Sequence, residues 1–236
     1  EHAEETKLTR ADRLLIRRAI VTAASSCHAT GSPVLTEDVS AALRSFATDP
    51  DLTPARQSRA ADMADAMALF CSGLAGHFFN RPGTPWPDAD VTILEMGLLA
   101  NEGYEDQLTV AFMGMMQRIH TLAERTQSDG RPIVVLTDEG HLITTNPLLA
   151  PYVVKMVKMW RKLGTWLWIA TQNLADFPDA SAKMLSLFEW WICLSAPKEE
   201  VEQIARFRDL TPEQRSLLLA AQKSPGQYTE GVVLSK

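Results

Sequence analysis

The sequence lacks most features that assign a protein at a glance. No apolar run approaches the roughly 18–20 residues a membrane-spanning helix needs. No secretory signal pattern opens the chain, and no repeat or low-complexity tract interrupts it. Cysteine is scarce: Cys27, Cys71 and Cys193 stand far apart, with no CxxC pair. That excludes a disulfide framework and reads as reduced, mostly buried thiols in a cytosolic protein. Basic charge is not in excess. The 23 Lys and Arg against 29 Asp and Glu leave a net charge of −6, so the chain as a whole is no basic glove for nucleic acid. The five histidines, His2, His28, His77, His120 and His141, show no metal-ligand spacing and read as structural. None of the twelve glycines is followed by Lys, so the phosphate-cradling pattern G-x-x-x-x-G-K-[ST] is absent.

What is present is ordinary for a soluble globular chain: 46% hydrophobic and 22% charged residues. At about 150 residues per domain, 236 residues make one or two domains with an ample core. The first residue is Glu1 rather than Met, which suggests a piece of something longer.

Residues 1–80 read as helical. Leu14, Leu15, Ala19, Ile20 and Ala23 recur at helical spacing, and residues 29–33 (ATGSP) make a turn. Thr36 with Glu37 and Asp38 starts a second helix, and Thr53–Pro54 starts a third with proline at its first position. From residue 80 a turn-rich connector leads to alternating strand and helix signals. Strands are expected at 90–97, 131–138, 165–172, 189–195 and 228–235, with helices at 105–128, 148–163, 198–206 and from Thr211–Pro212. That alternation predicts an α/β fold: a largely parallel sheet with helices on both faces, preceded by an all-helical subdomain. The expected division is 1–80 and 81–236.

Three local features carry chemistry. The first is residues 131–140 (RPIVVLTDEG), a buried-strand run that ends in Asp138–Glu139. Carboxyl ends of parallel strands face the ligand crevice. In phosphate-handling sites one such acid holds hydrated Mg²⁺ and the other orients or deprotonates the attacking water. The blander alternative is a strand running into a solvated turn. The second feature is residues 165–172 (TWLWIATQ), where Thr171 and Gln172 close the next buried strand. An amide there reaches a γ-phosphate or its neighbouring water; alone, it is more often a loop-satisfying Gln. The third is residues 155–164 (KMVKMWRKLG). Lys155, Lys158 and Lys162 read as a solvated face, but Arg161 at the helix end, eleven residues before Gln172, suits an arginine finger offered to a neighbouring subunit. Cys27 and Cys71 in helical patterns and Cys193 within a strand read as inert core. Tandem Trp190–Trp191 must point to opposite sides of their strand.

TDEGHLI, then a helix ending in RK-x-G, then a strand ending in ATQN, resembles the motor domain of the large ATPases of conjugation and type IV secretion, the TraC and TrbE type. The stretches 77–100, 195–207 and 226–235 are similar to the same family, so the resemblance covers about residues 77–236. It implies a RecA-like core lacking its P-loop strand over 81–236. It also implies ATP and Mg²⁺ as ligands, Asp138 and Glu139 as the Walker B pair, with Asp138 on Mg²⁺ through water. Gln172 becomes the sensing glutamine, Thr171 a nucleotide contact and Arg161 a trans-acting arginine. The P-loop is expected upstream of Glu1. Gly140–His141 departs from the Ala–Trp that relatives often carry. The family implies other type IV secretion components as partners, a homo-oligomer (a hexamer at full length) and a cytoplasmic place, peripheral at the inner membrane. Two alternatives stay open: a non-hydrolysing assembly module of a secretion complex, and a HerA-like or coupling-protein-like DNA translocase. The acidic balance favours a protein-handling motor over the second, and DNA binding is not evident from charge.

Overall fold

The computed structural model describes residues 8–87 and 89–235. The chain folds as two units, Glu1–Leu94 and Glu95–Lys236. The connector expected to open the second domain at residue 81 therefore belongs to the first unit.

The first unit is helical among its described residues. Helix α1 (Arg10–Thr30) opens with a reciprocal cap. The Asp12 amide donates to Thr9 Oγ1 at 3.1 Å, and the Thr9 amide donates to Asp12 Oδ2 at 2.9 Å. It ends at Gly31, whose φ of 70° suits glycine in the left-handed region. Helix α2 (Thr36–Phe46) and α3 (Pro54–Ala68) follow, then α4 (Gly73–Phe79). Leu15, Ala19, Leu43, Phe46, Ala60, Met63 and Ala64 form the core. The alanines let α2 and α3 approach closely enough for Ser40 Oγ to donate to the Ala64 carbonyl at 3.0 Å. Buried Asp12 also accepts from Arg59 Nε at 3.2 Å, which ties α1 to α3. The Thr9 amide, and after it Arg59, holds the Asp12 carboxyl below its ordinary range.

The strand expected at 90–97 does not form. Residues 91–96 have no regular structure, and Gly97–Ala100 make a single 3-10 turn. The β-branched run had the right composition, but it pairs with no other strand, and Val91, Ile93 and Leu94 stay exposed, Ile93 at 88%. Strand propensity expresses itself only where a pleated surface finds a packed neighbour.

The second unit carries the alternating elements. Helix α5 (Glu105–Thr126) leads to strand β1 (Ile133–Thr137). A short α6 (His141–Thr144) and α7 (Leu149–Trp160) cross to strand β2 (Thr165–Ile169). β1 and β2 pair in parallel, Ile133 opposite Thr165 through Thr137 opposite Ile169. α7 runs beside α5, as Asn146 Nδ2 donates to Thr109 Oγ1 at 2.7 Å near one end and Gln127 Nε2 donates to the Lys162 carbonyl at 3.3 Å near the other. Val153, Met156 and Trp160 fill the space beneath. Then come α8 (Ala182–Leu185), β3 (Trp191–Leu194), α9 (Lys198–Phe207), α10 (Pro212–Ala220), β4 (Lys223–Ser224), β5 (Tyr228–Thr229) and β6 (Gly231–Leu234).

The single, largely parallel sheet is not what forms. β1–β2 is parallel, but β3 pairs antiparallel with β6 and β4 antiparallel with β5, as three separate two-stranded sheets among the described residues. β2 and β3 do not pair. Helices do not cover both faces either. Val135 and Leu167 are buried on one face of β1–β2, while Val134, Leu136, Trp166 and Trp168 stand exposed on the other. β3–β6 repeats this. Its inner face joins a core of Leu174, Phe177, Val201, Ile204 and Leu218, and Ile192, Leu194 and Val233 face outward. Trp190 is exposed and Trp191 is half-buried against that core, so the tandem tryptophans do face opposite ways.

Candidate functional site

The site begins where β1 stops. The ladder runs one step past both strands: the Ala170 amide donates to the Thr137 carbonyl, and the Gly140 amide donates to the Ala170 carbonyl, each at 2.9 Å. The turn carrying Asp138 and Glu139 is therefore pinned to the end of β2. Glu139 sits at φ 51°, a left-handed backbone that a glutamate adopts only under outside constraint. Part of the constraint is Gly140. A Cβ there would lie 2.1 Å from Ile169 Cγ2 and 3.3 Å from the Ala170 carbonyl oxygen. Only glycine lets the turn pass this close to β2.

That pinning brings Glu139 and Gln172 together. Gln172 Nε2 donates to Glu139 Oε1 at 3.0 Å. The Glu139 amide donates to Asp138 Oδ1 at 2.9 Å, which fixes the Asp138 side chain over its own turn. His141, the first residue of α6, places Nδ1 at 3.3 Å from Glu139 Oε2. The loop after β2 is held independently. The Leu174 amide donates to Glu200 Oε1 at 2.9 Å, and the Ala175 amide to Asn173 Oδ1 at 3.0 Å. Gln172 thus projects from a braced loop.

The other two candidates lie differently. Thr171 is half-buried and turns its hydroxyl to the Asn173 carbonyl at 3.3 Å, inside its own loop. Arg161 is exposed in the 3-10 turn before β2 begins. It sits at the opposite end of the strand from Gln172. Five residues at about 3.3 Å each put about 16 Å of β2 between the two ends. The structure does not bring Arg161 to its own chain's Glu139.

Sequence reading missed Gly140, His141, Asn173 and Glu200. A glycine directly after the two acids was the one local signal. The others act through contacts between loops, which spacing does not reveal.

Among the described residues no group of three or more His, Cys, Asp or Glu is arranged to hold a metal. An exposed Asp138 instead fits an ion that keeps most of its own water and leans on phosphate oxygens, the habit of Mg²⁺. Burial pushes the Cys193 thiol above its ordinary range, in keeping with an inert cysteine. A cavity of about 400 Å³ opens at the amino end of β3, between Trp191, Phe207 and Arg208, and none of the five candidate residues lines it. Among the described residues no helix is long and apolar enough to cross a membrane.

No protein-family model matches the chain, and no curated protein matches it. Among solved structures it is similar to VirB4 of Thermoanaerobacter pseudethanolicus, with a TM-score of 0.67 over 91% of this chain. The fold is VirB4-like. At 17% identity the likeness is one of fold, and the match spans 59% of that structure's chain. A match over 91% of this chain extends into both units.

Proposed function

We propose that this chain is part of the motor of an ATPase that drives type IV secretion or conjugative transfer, with its hydrolytic groups at the ends of β1 and β2. One observation carries the reading. The last polar side chains of two adjacent parallel strands meet, with Gln172 Nε2 3.0 Å from Glu139 Oε1. The VirB4-like fold supports the same reading, and the TraC and TrbE type is the branch whose motifs the sequence resembles.

In this reading Glu139 is the group that takes a proton from the attacking water. A carboxylate has about four lone-pair sites. Gln172 occupies one on Oε1 and His141 Nδ1 lies beside Oε2, so each oxygen can still accept from a water. Gln172 donates its amide hydrogen to Glu139, and its own side-chain carbonyl is the acceptor proposed for that water's second hydrogen. Mg²⁺, where bound, supplies charge neutralisation on the phosphates, and Asp138 would hold its water shell. Thr171 keeps the backbone of the Gln172 loop in place beside the nucleotide. Arg161 serves the site of a neighbouring subunit, since its position at the far end of β2 removes it from its own. ATP and Mg²⁺ are thus the proposed ligands, other type IV secretion components the proposed partners, and a cytoplasmic ring at the inner membrane the proposed setting.

The phosphate cradle is not in these 236 residues, which hold no G-x-x-x-x-G-K-[ST]. Purified on its own, the 236-residue chain is expected to show no Mg²⁺-dependent ATP hydrolysis. In the complete gene product Glu139→Gln is expected to abolish turnover and leave nucleotide affinity within about twofold, because a general base acts in the transition state and little in ground-state binding. Robust hydrolysis by Glu139→Gln would sink the assignment.

A further inference from the structure

We infer that His141 is a positioning residue for Glu139, holding the carboxylate from the side opposite Gln172. The inference rests on the reading of Glu139 as the base, and goes beyond it by naming what aims that base. His141 stands apart from the other described histidines. His28 ends α1, His77 lies beside Arg81 in the first unit, and His120 is buried against Glu124 on α5. Only His141 faces a carboxylate at the end of a strand.

The geometry is that of a clamp. Glu139 Oε1 receives the Gln172 amide at 3.0 Å, and Oε2 lies 3.3 Å from His141 Nδ1. One donor leaves a carboxylate free to rotate about its last bond. A second polar group beside the other oxygen, carried on a different element, restricts that rotation. The backbone that carries the ring is anchored. The His141 main-chain carbonyl accepts from the Thr145 amide at 2.9 Å and from the Thr145 and Thr144 hydroxyls at 2.7 and 3.2 Å. Gly140, pressed against Ile169, fixes the backbone between the two side chains. The contact is too exposed to matter for folding, at 33% and 40% side-chain exposure. Its use is directional: a base must be held within about half an ångström of its productive position. The imidazole would donate through Nδ1–H, so this contact selects the Nδ1–H tautomer.

Two measurements test this. The first is imidazole ¹⁵N NMR on the 236-residue chain, at a pH where the ring is neutral. His141 is expected in the Nδ1–H tautomer, and Glu139→Ala is expected to return it to the Nε2–H form. An Nε2–H tautomer in the unsubstituted chain overturns the inference. The second is steady-state hydrolysis by the complete gene product. His141→Phe keeps a ring and removes the donor. It is expected to lower kcat about tenfold or more with the KM for ATP little changed, the signature of a misplaced catalytic group. His141→Asn sets an amide nitrogen near the place of Nδ1 and is expected to recover most of the loss. If Glu139→Gln abolishes turnover while His141→Phe keeps full kcat, the positioning role falls and the base stands. If Glu139→Gln leaves turnover intact, both fall. A loss in His141→Phe that His141→Asn does not recover also counts against the hydrogen bond as its cause.

Discussion

Gly140 shows how little room the site leaves at the level of single atoms. A methyl group added there meets Ile169 Cγ2 at 2.1 Å, on a β-branched side chain that has few rotamers to retreat into. Gly140→Ala is expected to cost about 1–3 kcal/mol, the usual range for overpacking. Urea unfolding would show it as a lowered midpoint. Ile169→Ala removes the obstructing methyl, so the double variant should regain part of what Gly140→Ala loses beyond the sum of the two single changes. Simple additivity would show that the clash is relieved elsewhere. The acids and Gln172 were legible in the sequence because each follows a run of strand residues, and strand ends are where parallel sheets present chemistry. His141 was not. Its contact depends on the left-handed turn at Glu139, and nothing in the order of residues announces that turn.

At the scale of elements, the helices were the easier part. Their 3.6-residue periodicity, the Thr53–Pro54 start and the Thr211–Pro212 start all stand in the structure within a few residues of the expected places. The strands were harder, because a strand is completed by a partner remote in sequence. Residues 90–97 have strand composition and no ladder, and the strand expected at 189–195 forms over Trp191–Leu194 as an antiparallel partner of β6 rather than as part of a largely parallel sheet. The start of α1 carries a pH-dependent contribution whose sign can be worked out. Asp12 is held below its ordinary value of 3.8 first by the Thr9 amide and then by Arg59. A carboxyl depressed in the folded state stabilises above its unfolded pKa, and the contribution is lost as pH falls through the folded value. Asp12→Ala should therefore lower the urea midpoint of the helical unit at neutral pH. The gap to the unsubstituted chain should begin to close below pH 3.8 and vanish once Asp12 is protonated in both states. A gap that persists undiminished in acid would assign the effect to packing instead.

Across the whole molecule, the placement of Arg161 has the widest reach. Its separation from Glu139 by the length of β2 is the reason the proposed reading gives it to a neighbouring subunit's site. In the complete gene product Arg161→Ala is expected to cut hydrolysis by about 10³–10⁵, the range for an arginine finger, with ATP affinity nearly intact. Mixing Arg161→Ala subunits with Glu139→Gln subunits should restore activity, since some interfaces then join an intact Glu139 to an intact Arg161. Mixtures as inactive as either parent would place Arg161 outside the reaction.

The burial of the tryptophans gives the molecule an uneven optical character. Trp160 is fully enclosed beneath α7, Trp86 and Trp191 are half-covered, and Trp166, Trp168 and Trp190 already stand in water. Emission from the last three is red-shifted before any denaturant is added. The spectral change on unfolding therefore comes chiefly from the enclosed indole. A fluorescence melt of this protein reports chiefly the loosening of α7 from α5 and β2, the bed on which the Glu139 and Gln172 strands lie, with smaller shares from half-covered Trp86 and Trp191.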